Sequence, residues 1–293
     1  MSECTEPTTI EIWRARARQK LDAERHAELD WLIQETLEIS RGALLSKPDR
    51  VLTPQITQSL DSRLEALCDE VPLAYLLGSQ PFWSMDLTVT RDTLVPRADT
   101  EILVHAALAR MTGLSAPRVA DLGTGSGAIA LALGKERPDA LIHAVDRSDA
   151  ALAVAHLNAE NLGLTNVEFF EGDWTTALPK GDYDLVVSNP PYVETNDGAL
   201  PNSLKHEPVI ALAGGVDGLS QIRRLVPGAV ERLKPEGWLM IEHGNMQAAG
   251  VSGILDAAGL VDLQTVPDIA GRDRVSLGRR PNSREAEYSD GQD

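Results

Sequence analysis

The chain of 293 residues is poor in cysteine, in positive charge and in long apolar runs. Cys4 and Cys68 are its only cysteines. They cannot build a disulfide framework or a cysteine-rich metal site, and a reducing compartment fits. Lysine and arginine number 27 against 44 acidic residues, a formal net charge of −17. A protein that grips a phosphate backbone usually carries a basic field, so no direct nucleic-acid partner is expected. No apolar run approaches the roughly 20 residues that span a bilayer. Met1 to Thr9 is polar and acidic, without the basic and apolar regions of a secretory signal. A cytoplasmic protein without a membrane partner is expected.

The length suits roughly two domains of about 150 residues. From about Ile10 to Glu70 apolar residues recur at helical spacing: Ile12, Trp13, Ala17 and Leu21; then Leu29, Leu32, Ile33 and Leu37; then Ile56, Leu60, Leu64 and Leu67. Thr53 before Pro54 is a helix start, with Thr53 as cap. This predicts a small helical bundle over residues 1–71, suited to docking a substrate. Residues 72–94 read as a β-hairpin linker, with Phe82 to Val89 alternating as a strand does. In the segment Val95 to Glu101, Asp99 or Thr100 is placed to cap a helix running from about Ile102 to Met111. From Arg118 strands and helices alternate, which predicts a doubly wound parallel sheet. Val193 to Gly218 reads as a long loop, Pro235-Glu236-Gly237 as a turn into a strand from Trp238, and 281–293 as a disordered tail.

The most informative stretch is Asp184 to Tyr192. Leu185, Val186 and Val187 read as a buried strand. Pro190 and Pro191 cannot donate to a β ladder, so the strand stops there in a stiff corner. Ligands of open α/β sheets bind at that carboxyl edge. Such a corner can offer the Asn189 side-chain oxygen and the Pro190 carbonyl as two acceptors, with the Tyr192 ring as an apolar wall. That suits a planar NH2 group. Taken alone, the tetrapeptide is equally a strand followed by a Pro-rich turn.

Gly123-Thr124-Gly125-Ser126-Gly127 is a Gly-rich turn between a strand and a helix, open to close approach by an anionic ligand. With Asp146 about 20 residues on, it fits a dinucleotide fingerprint and an S-adenosylmethionine site equally. Three features break the tie. Asp121 stands where it could serve a methionine amino group. Asp173-Trp174 could bracket an adenine. Asn189 to Tyr192 presents acceptors to an NH2 group, which hydride transfer does not need and methylation of nitrogen does.

Together, Val95-Pro96-Arg97-x-Asp99-Thr100-Glu101, Asp121 to Leu131, Ala144-Val145-Asp146, Asp173-Trp174, Val187 to Tyr192, Glu207-Pro208 and Glu242-His243-Gly244 resemble the PrmC/HemK family of peptide-chain release factor N5-glutamine methyltransferases. The resemblance spans most of residues 72–280. It implies a Rossmann-like class I methyltransferase domain, residues 95–280, with a seven-stranded sheet behind a small amino-terminal helical bundle. It implies methyl transfer from S-adenosyl-L-methionine, without a metal, to the glutamine of the Gly-Gly-Gln motif in bacterial class I release factors. Asn189, Pro190 and Tyr192 would be catalytic, with Pro191, Arg97 and Glu101 joining them against the substrate. Asp121, Gly123, Thr124, Gly125, Ser126, Gly127, Asp146, Asp173, Trp174 and Asn189 would hold S-adenosylmethionine. Ala98 stands where the family usually has a second proline, and His206 where it often has phenylalanine. An adenine-N6 nucleic-acid methyltransferase shares the Asn-Pro-Pro-Tyr corner, and a non-catalytic binding module is a further alternative.

Overall fold

A computed structural model of the chain describes residues 8–195 and 204–282. The tail expected to be disordered lies outside the described residues from Ser283 onward. The chain divides into two compact units, Met1–Gly78 and Ser79–Asp293. The division falls within the segment expected to act as a linker.

The first unit is helical: α1 (Ile10–Arg18), α2 (His26–Leu37), α3 (Arg41–Ser46), α4 (Pro54–Cys68) and α5 (Leu73–Leu77). Its starts follow capping rules. The side chains of Thr9, Ser40 and Thr53 each accept the amide three residues on, and Pro54 occupies the first turn of α4. The expected apolar positions meet in one core around Trp13, Leu32, Ile33, Leu60 and Leu64. The buried indole of Trp13 donates to Asp61 at 2.8 Å. Ile12 departs from the expected pattern and is half exposed.

The second unit opens with a hairpin of β1 (Ser79–Phe82) and β2 (Met85–Thr88). Residues 82–89 are therefore not one strand. Phe82 pairs with Met85, and the turn between them runs through Trp83 at φ +55°. The sequence has no glycine there to mark it. A short 3-10 turn, Ala98–Thr100, leads into α6 (Glu101–Met111). The chain then alternates through β3 (Arg118–Leu122), α7 (Ala128–Glu136), β4 (Leu141–Asp146), α8 (Asp149–Leu162), β5 (Val167–Glu171) and β6 (Tyr183–Ser188). It continues through β7 (Val193–Glu194), β8 (Ala213–Gly215), α9 (Ser220–Arg232), β9 (Leu233–Glu242), α10 (Ala248–Ala257), β10 (Val261–Pro267) and β11 (Asp273–Arg279).

Seven of these strands form the expected sheet, in the order β10-β11-β9-β6-β3-β4-β5. It is not wholly parallel: β11 runs against both β9 and β10. Side chains alternate between two buried faces. Val119, Leu185, Val187 and Met240 join the core beneath α6 and α7. Ala120, Val186, Leu239 and Ile241 join the core beneath α9 and α10. Two local expectations are corrected. The stretch read as a plain loop after Tyr192 contains the small parallel pair β7–β8. The strand expected from Trp238 begins at Leu233, because Pro235-Glu236-Gly237 lies within it, with Glu236 at φ +69° and a shift of register against β6.

Strand order reverses between β3 and β6, so the crevice above those two strands is the place for a ligand. Leu122 and Ser188 are register partners there, and the Ser188 hydroxyl donates to the Leu122 carbonyl at 2.7 Å. The Gly-rich turn and the Asn-Pro-Pro-Tyr corner leave the sheet side by side.

Candidate active site

The Gly-rich turn is held by its neighbours. Gly123, Gly125 and Gly127 all have positive φ, which no side-chain-bearing residue adopts cheaply. The amides of Gly123 and Thr124 donate to the Val145 carbonyl at 2.8 and 3.0 Å. Gly125 N–H donates to Asp146 Oδ2 at 2.8 Å, while Oδ1 of the same carboxylate accepts Ser148 N–H at 2.9 Å. Asp146 thus braces the turn and also faces the cavity. Each of its oxygens keeps acceptor capacity.

The Trp174 ring lies over Gly123, where a Cβ would meet it at 3.4 Å. Its buried indole N–H has no partner among the described residues. Asp173 lines the cavity as well, and Arg224 donates to it at 2.8 Å. Asp121 is different. It is fully buried beneath the turn and does not line the cavity. Its Oδ2 accepts the Thr124 hydroxyl at 2.7 Å and Ala130 N–H at 3.2 Å, and its Oδ1 is buried without a partner. Burial pushes this carboxyl up to about 7, against those two hydrogen bonds. The structure therefore places Asp121 under the turn and outside the cavity lining.

At the end of β6, Asn189 and Pro191 line the cavity, while Pro190 and Tyr192 stand outside its lining. The Asn189 side chain donates through Nδ2 to Thr100 Oγ1 at 3.2 Å. The Tyr192 hydroxyl turns away and donates to Glu242 Oε1 at 3.2 Å, and the Tyr192 carbonyl accepts Gln247 Nε2 at 3.0 Å. Burial, and then the Glu242 charge, push the Tyr192 phenol up. Glu242 is itself wholly buried at the end of β9. Burial raises its carboxyl to about 7, against the Thr100 and Tyr192 hydroxyls and the charge of Arg274.

The expected helix cap at Asp99 or Thr100 is not formed. Neither side chain caps α6, because both are drawn elsewhere. Thr100 serves Asn189, and Asp99 pairs with Arg274 at 3.0 Å. Arg97 lines the cavity and pairs with the buried Glu207, whose other oxygen accepts Val95 N–H at 3.1 Å. Glu101 is not brought into the lining; it accepts Trp83 N–H at 2.7 Å.

Of the site residues read from the sequence, then, the cavity gathers Arg97, Gly123, Thr124, Gly125, Ser126 and Asp146, together with Asp173, Trp174, Asn189 and Pro191. The sequence gives Thr100 only a helix-capping role, and Glu207 and Glu242 only a place in motifs. The signal for Glu242 is its place in the Glu242-His243-Gly244 motif, after the apolar run Trp238 to Ile241. No group of His, Cys, Asp and Glu able to hold a metal ion stands together among the described residues.

Comparison with known proteins fits this geometry. The PrmC N-terminal domain family matches residues 12–78, and the methyltransferase small domain family matches residues 98–206. The release factor glutamine methyltransferase of Xylella fastidiosa strain 9a5c is 46% identical over 90% of this chain and 94% of its own length. That of Coxiella burnetii is 39% identical over 96% of this chain and 99% of its own. Among solved structures, a Thermus thermophilus 16S rRNA N2 G1207 methyltransferase with AdoMet and guanosine superposes with a TM-score of 0.50, at 19% identity, over 69% of this chain and 49% of that one. The hMettl16 catalytic domain with an RNA hairpin superposes with a TM-score of 0.53, at 16% identity, over 67% and 76%. These two share the fold. The chain belongs to the release factor glutamine methyltransferase family.

Proposed function

We propose that this member of the family transfers the methyl group of S-adenosyl-L-methionine to the side-chain amide nitrogen (N5) of the glutamine in the Gly-Gly-Gln motif of bacterial class I release factors. The observation that carries the reading is the anchoring of Asn189. Its Nδ2 is committed to Thr100, so its oxygen remains as an acceptor at the cavity, beside the Gly-rich turn.

The residues fit the methyl donor. Gly123 and Gly125 bring bare backbone to the cavity wall, Asp146 has acceptor capacity for a ribose diol, and Trp174 supplies a flat apolar surface. The donor supplies an activated methyl group on a sulfonium sulfur. Asp173 and Trp174 bracket its adenine in this reading, while Asp121 acts from below by fixing the turn through Thr124 and Ala130.

On the substrate side, an amide nitrogen is a poor nucleophile, so positioning carries much of the rate. Asn189 Oδ1 and the Pro190 carbonyl accept the two N–H groups of the glutamine amide. As the nitrogen takes the methyl group, the carbon–sulfur bond breaks and a neutral thioether leaves. Positive charge develops on the nitrogen, the two acceptors favour it more than the neutral amide, and one N–H proton is then lost to water. Pro191 packs beside the amide, Tyr192 holds the corner from outside, and Arg97 borders the entry. The amino-terminal helical unit docks the release factor. No helix is long and apolar enough to cross a membrane among the described residues, and we place the enzyme in the cytoplasm, acting on protein and not on nucleic acid.

The test is label transfer from S-adenosylmethionine to a purified bacterial class I release factor, to its Gly-Gly-Gln glutamine-to-alanine variant, and to DNA and RNA. Label on the wild-type factor alone is expected. Label on nucleic acid, or none on the factor, would overturn the reading.

A further inference from the structure

Pro190 and Pro191 carry no N–H, so neither can donate a backbone hydrogen bond that would fix the corner they form. In the function proposed above, the Pro190 carbonyl must also stay open for the substrate amide. The direction of that carbonyl is therefore set from the two ends of the corner. At the first end, the Ser188 hydroxyl is tied to Leu122 and the Asn189 side chain to Thr100. At the second end, the Tyr192 carbonyl accepts Gln247 Nε2 at 3.0 Å, and Val193 N–H donates to the Leu212 carbonyl at 2.9 Å.

Gln247 lies outside the cavity lining, just before α10. Its amide can point only one way. Oε1 accepts Gly244 N–H at 2.8 Å, and Nε2 donates to the Tyr192 carbonyl and, at 3.4 Å, to the Asp217 carbonyl. A backbone N–H only donates and a carbonyl only accepts, so a reversed amide would lose all three contacts. The anchor is itself held. Gln247 N–H donates to the Gly244 carbonyl at 2.9 Å, and the Gln247 carbonyl accepts Val251 N–H at 2.9 Å. Asp217 pairs with Arg223 of α9 at 2.6 Å. One planar group thus joins the corner to the loop after β9 and to the turn before α9. Resting on the function proposed above, we infer that Gln247 is a positioning residue for methyl transfer: its NH2 group holds the Tyr192 carbonyl and so sets the direction in which the Pro190 carbonyl meets the glutamine amide.

A structural role for Gln247 and a positioning role part company in Gln247→Glu. The glutamate keeps the shape of the side chain and an oxygen for Gly244 N–H. Its negative charge at the start of α10 favours that helix. It lacks the NH2 donor, however, and turns an oxygen toward two carbonyl oxygens. If Gln247 only secures Gly244 and starts α10, Gln247→Glu should do little harm and Gln247→Ala more. If its NH2 positions the corner, Gln247→Glu should lose at least as much as Gln247→Ala.

The experiment is steady-state methyl transfer to the release factor by wild type, Gln247→Glu and Gln247→Ala, with S-adenosylmethionine affinity and melting temperature measured on each. Both variants should lose about tenfold or more in kcat, within the roughly 100-fold that about 1 Å of misplacement can cost. Donor affinity should be unchanged, because the Gly-rich turn and Asp146 are not touched. Wild-type kcat in Gln247→Glu, a smaller loss there than in Gln247→Ala, or a fall in donor affinity as large as the fall in kcat would overturn the inference while an active wild type kept the function. An inactive wild type would remove the proposed function and the inference together.

Discussion

Gly218 packs directly beneath the backbone of Tyr192. A Cβ built on Gly218 would stand 2.4 Å from the Tyr192 carbonyl oxygen and 2.2 Å from Gln247 Nε2, the group that donates to that carbonyl. Gly218 also has φ +69°, a conformation that costs an L-residue roughly 1–2 kcal/mol. Gly218→Ala should therefore shift the Asn-Pro-Pro-Tyr corner and leave the Gly-rich turn in place. The expected result is a fall in kcat for methyl transfer with S-adenosylmethionine affinity nearly unchanged. Calorimetry beside a turnover assay reads both, and normal turnover would show that the Tyr192 carbonyl can move freely.

Asn189→Ala removes one of the two proposed acceptors and leaves the other, so transfer should drop by about 100-fold or more. Donor affinity should stay close to wild type, because the Gly-rich turn keeps Asp146 as its brace. Turnover near wild type in this variant would remove Asn189 from the chemistry.

Asp146 has two duties, and its variants should separate them. Asp146→Asn retains one acceptor oxygen but loses the charge. Asp146→Ala also releases Gly125 N–H, which now donates to Oδ2 at 2.8 Å. A charge-assisted hydrogen bond contributes about 1.5–3 kcal/mol. Donor affinity should weaken about tenfold or more in Asp146→Asn and further in Asp146→Ala, measured by calorimetry. Unchanged affinity in both would rule out a ribose contact.

Asp121 links the fold to pH. An unfolded aspartate titrates near 4, and Asp121 in the folded chain titrates at about 7. Between those values the folded chain holds a proton that the unfolded chain has lost. Its contribution to stability is therefore full below pH 4 and declines as pH rises to about 7, by at most about 4 kcal/mol. His143 and His243, whose pKa values burial lowers, act in the opposite sense over part of that window. The clean quantity is the unfolding free energy of wild type minus that of Asp121→Asn. In urea titrations it should fall between pH 4 and pH 7.5; a difference independent of pH would contradict the assignment.

The parts of the fold that are legible in the sequence are those written locally. Leu185, Val186 and Val187 before two prolines, or Asp149 to Gly163 ending at its glycine, carry their own start and stop signals. What escaped is written over distance. The cap rule at Asp99 and Thr100 failed because Asn189, 89 positions away from Thr100, and Arg274 compete for those side chains. Pro235 and Gly237 look like a turn, yet sheet pairing on both sides keeps them inside β9. The lining residues that were readable, Gly123 to Ser126, Asp146, Asp173, Trp174, Asn189 and Pro191, lie at or just after the carboxyl ends of strands, whereas Thr93, Ile210 and Gln221, which also line the cavity, carry no such signal. Glu242 was readable only as a motif, since its partners come from three separate segments of the chain.

The reversed strand β11 lies one place in from the edge of the sheet, between β9 and β10, and it is the last strand among the described residues. During synthesis this imposes an order. The Gly-rich turn and the Asn-Pro-Pro-Tyr corner emerge early, while β9 keeps an unpaired edge bearing Leu239, Met240 and Ile241 until Arg279 has cleared the ribosome. An unpaired edge of that kind invites pairing with other chains. A stop codon placed shortly before Asp273 should thus yield an aggregating polypeptide and not a weakened enzyme, although every proposed contact to the methyl donor would already have been translated.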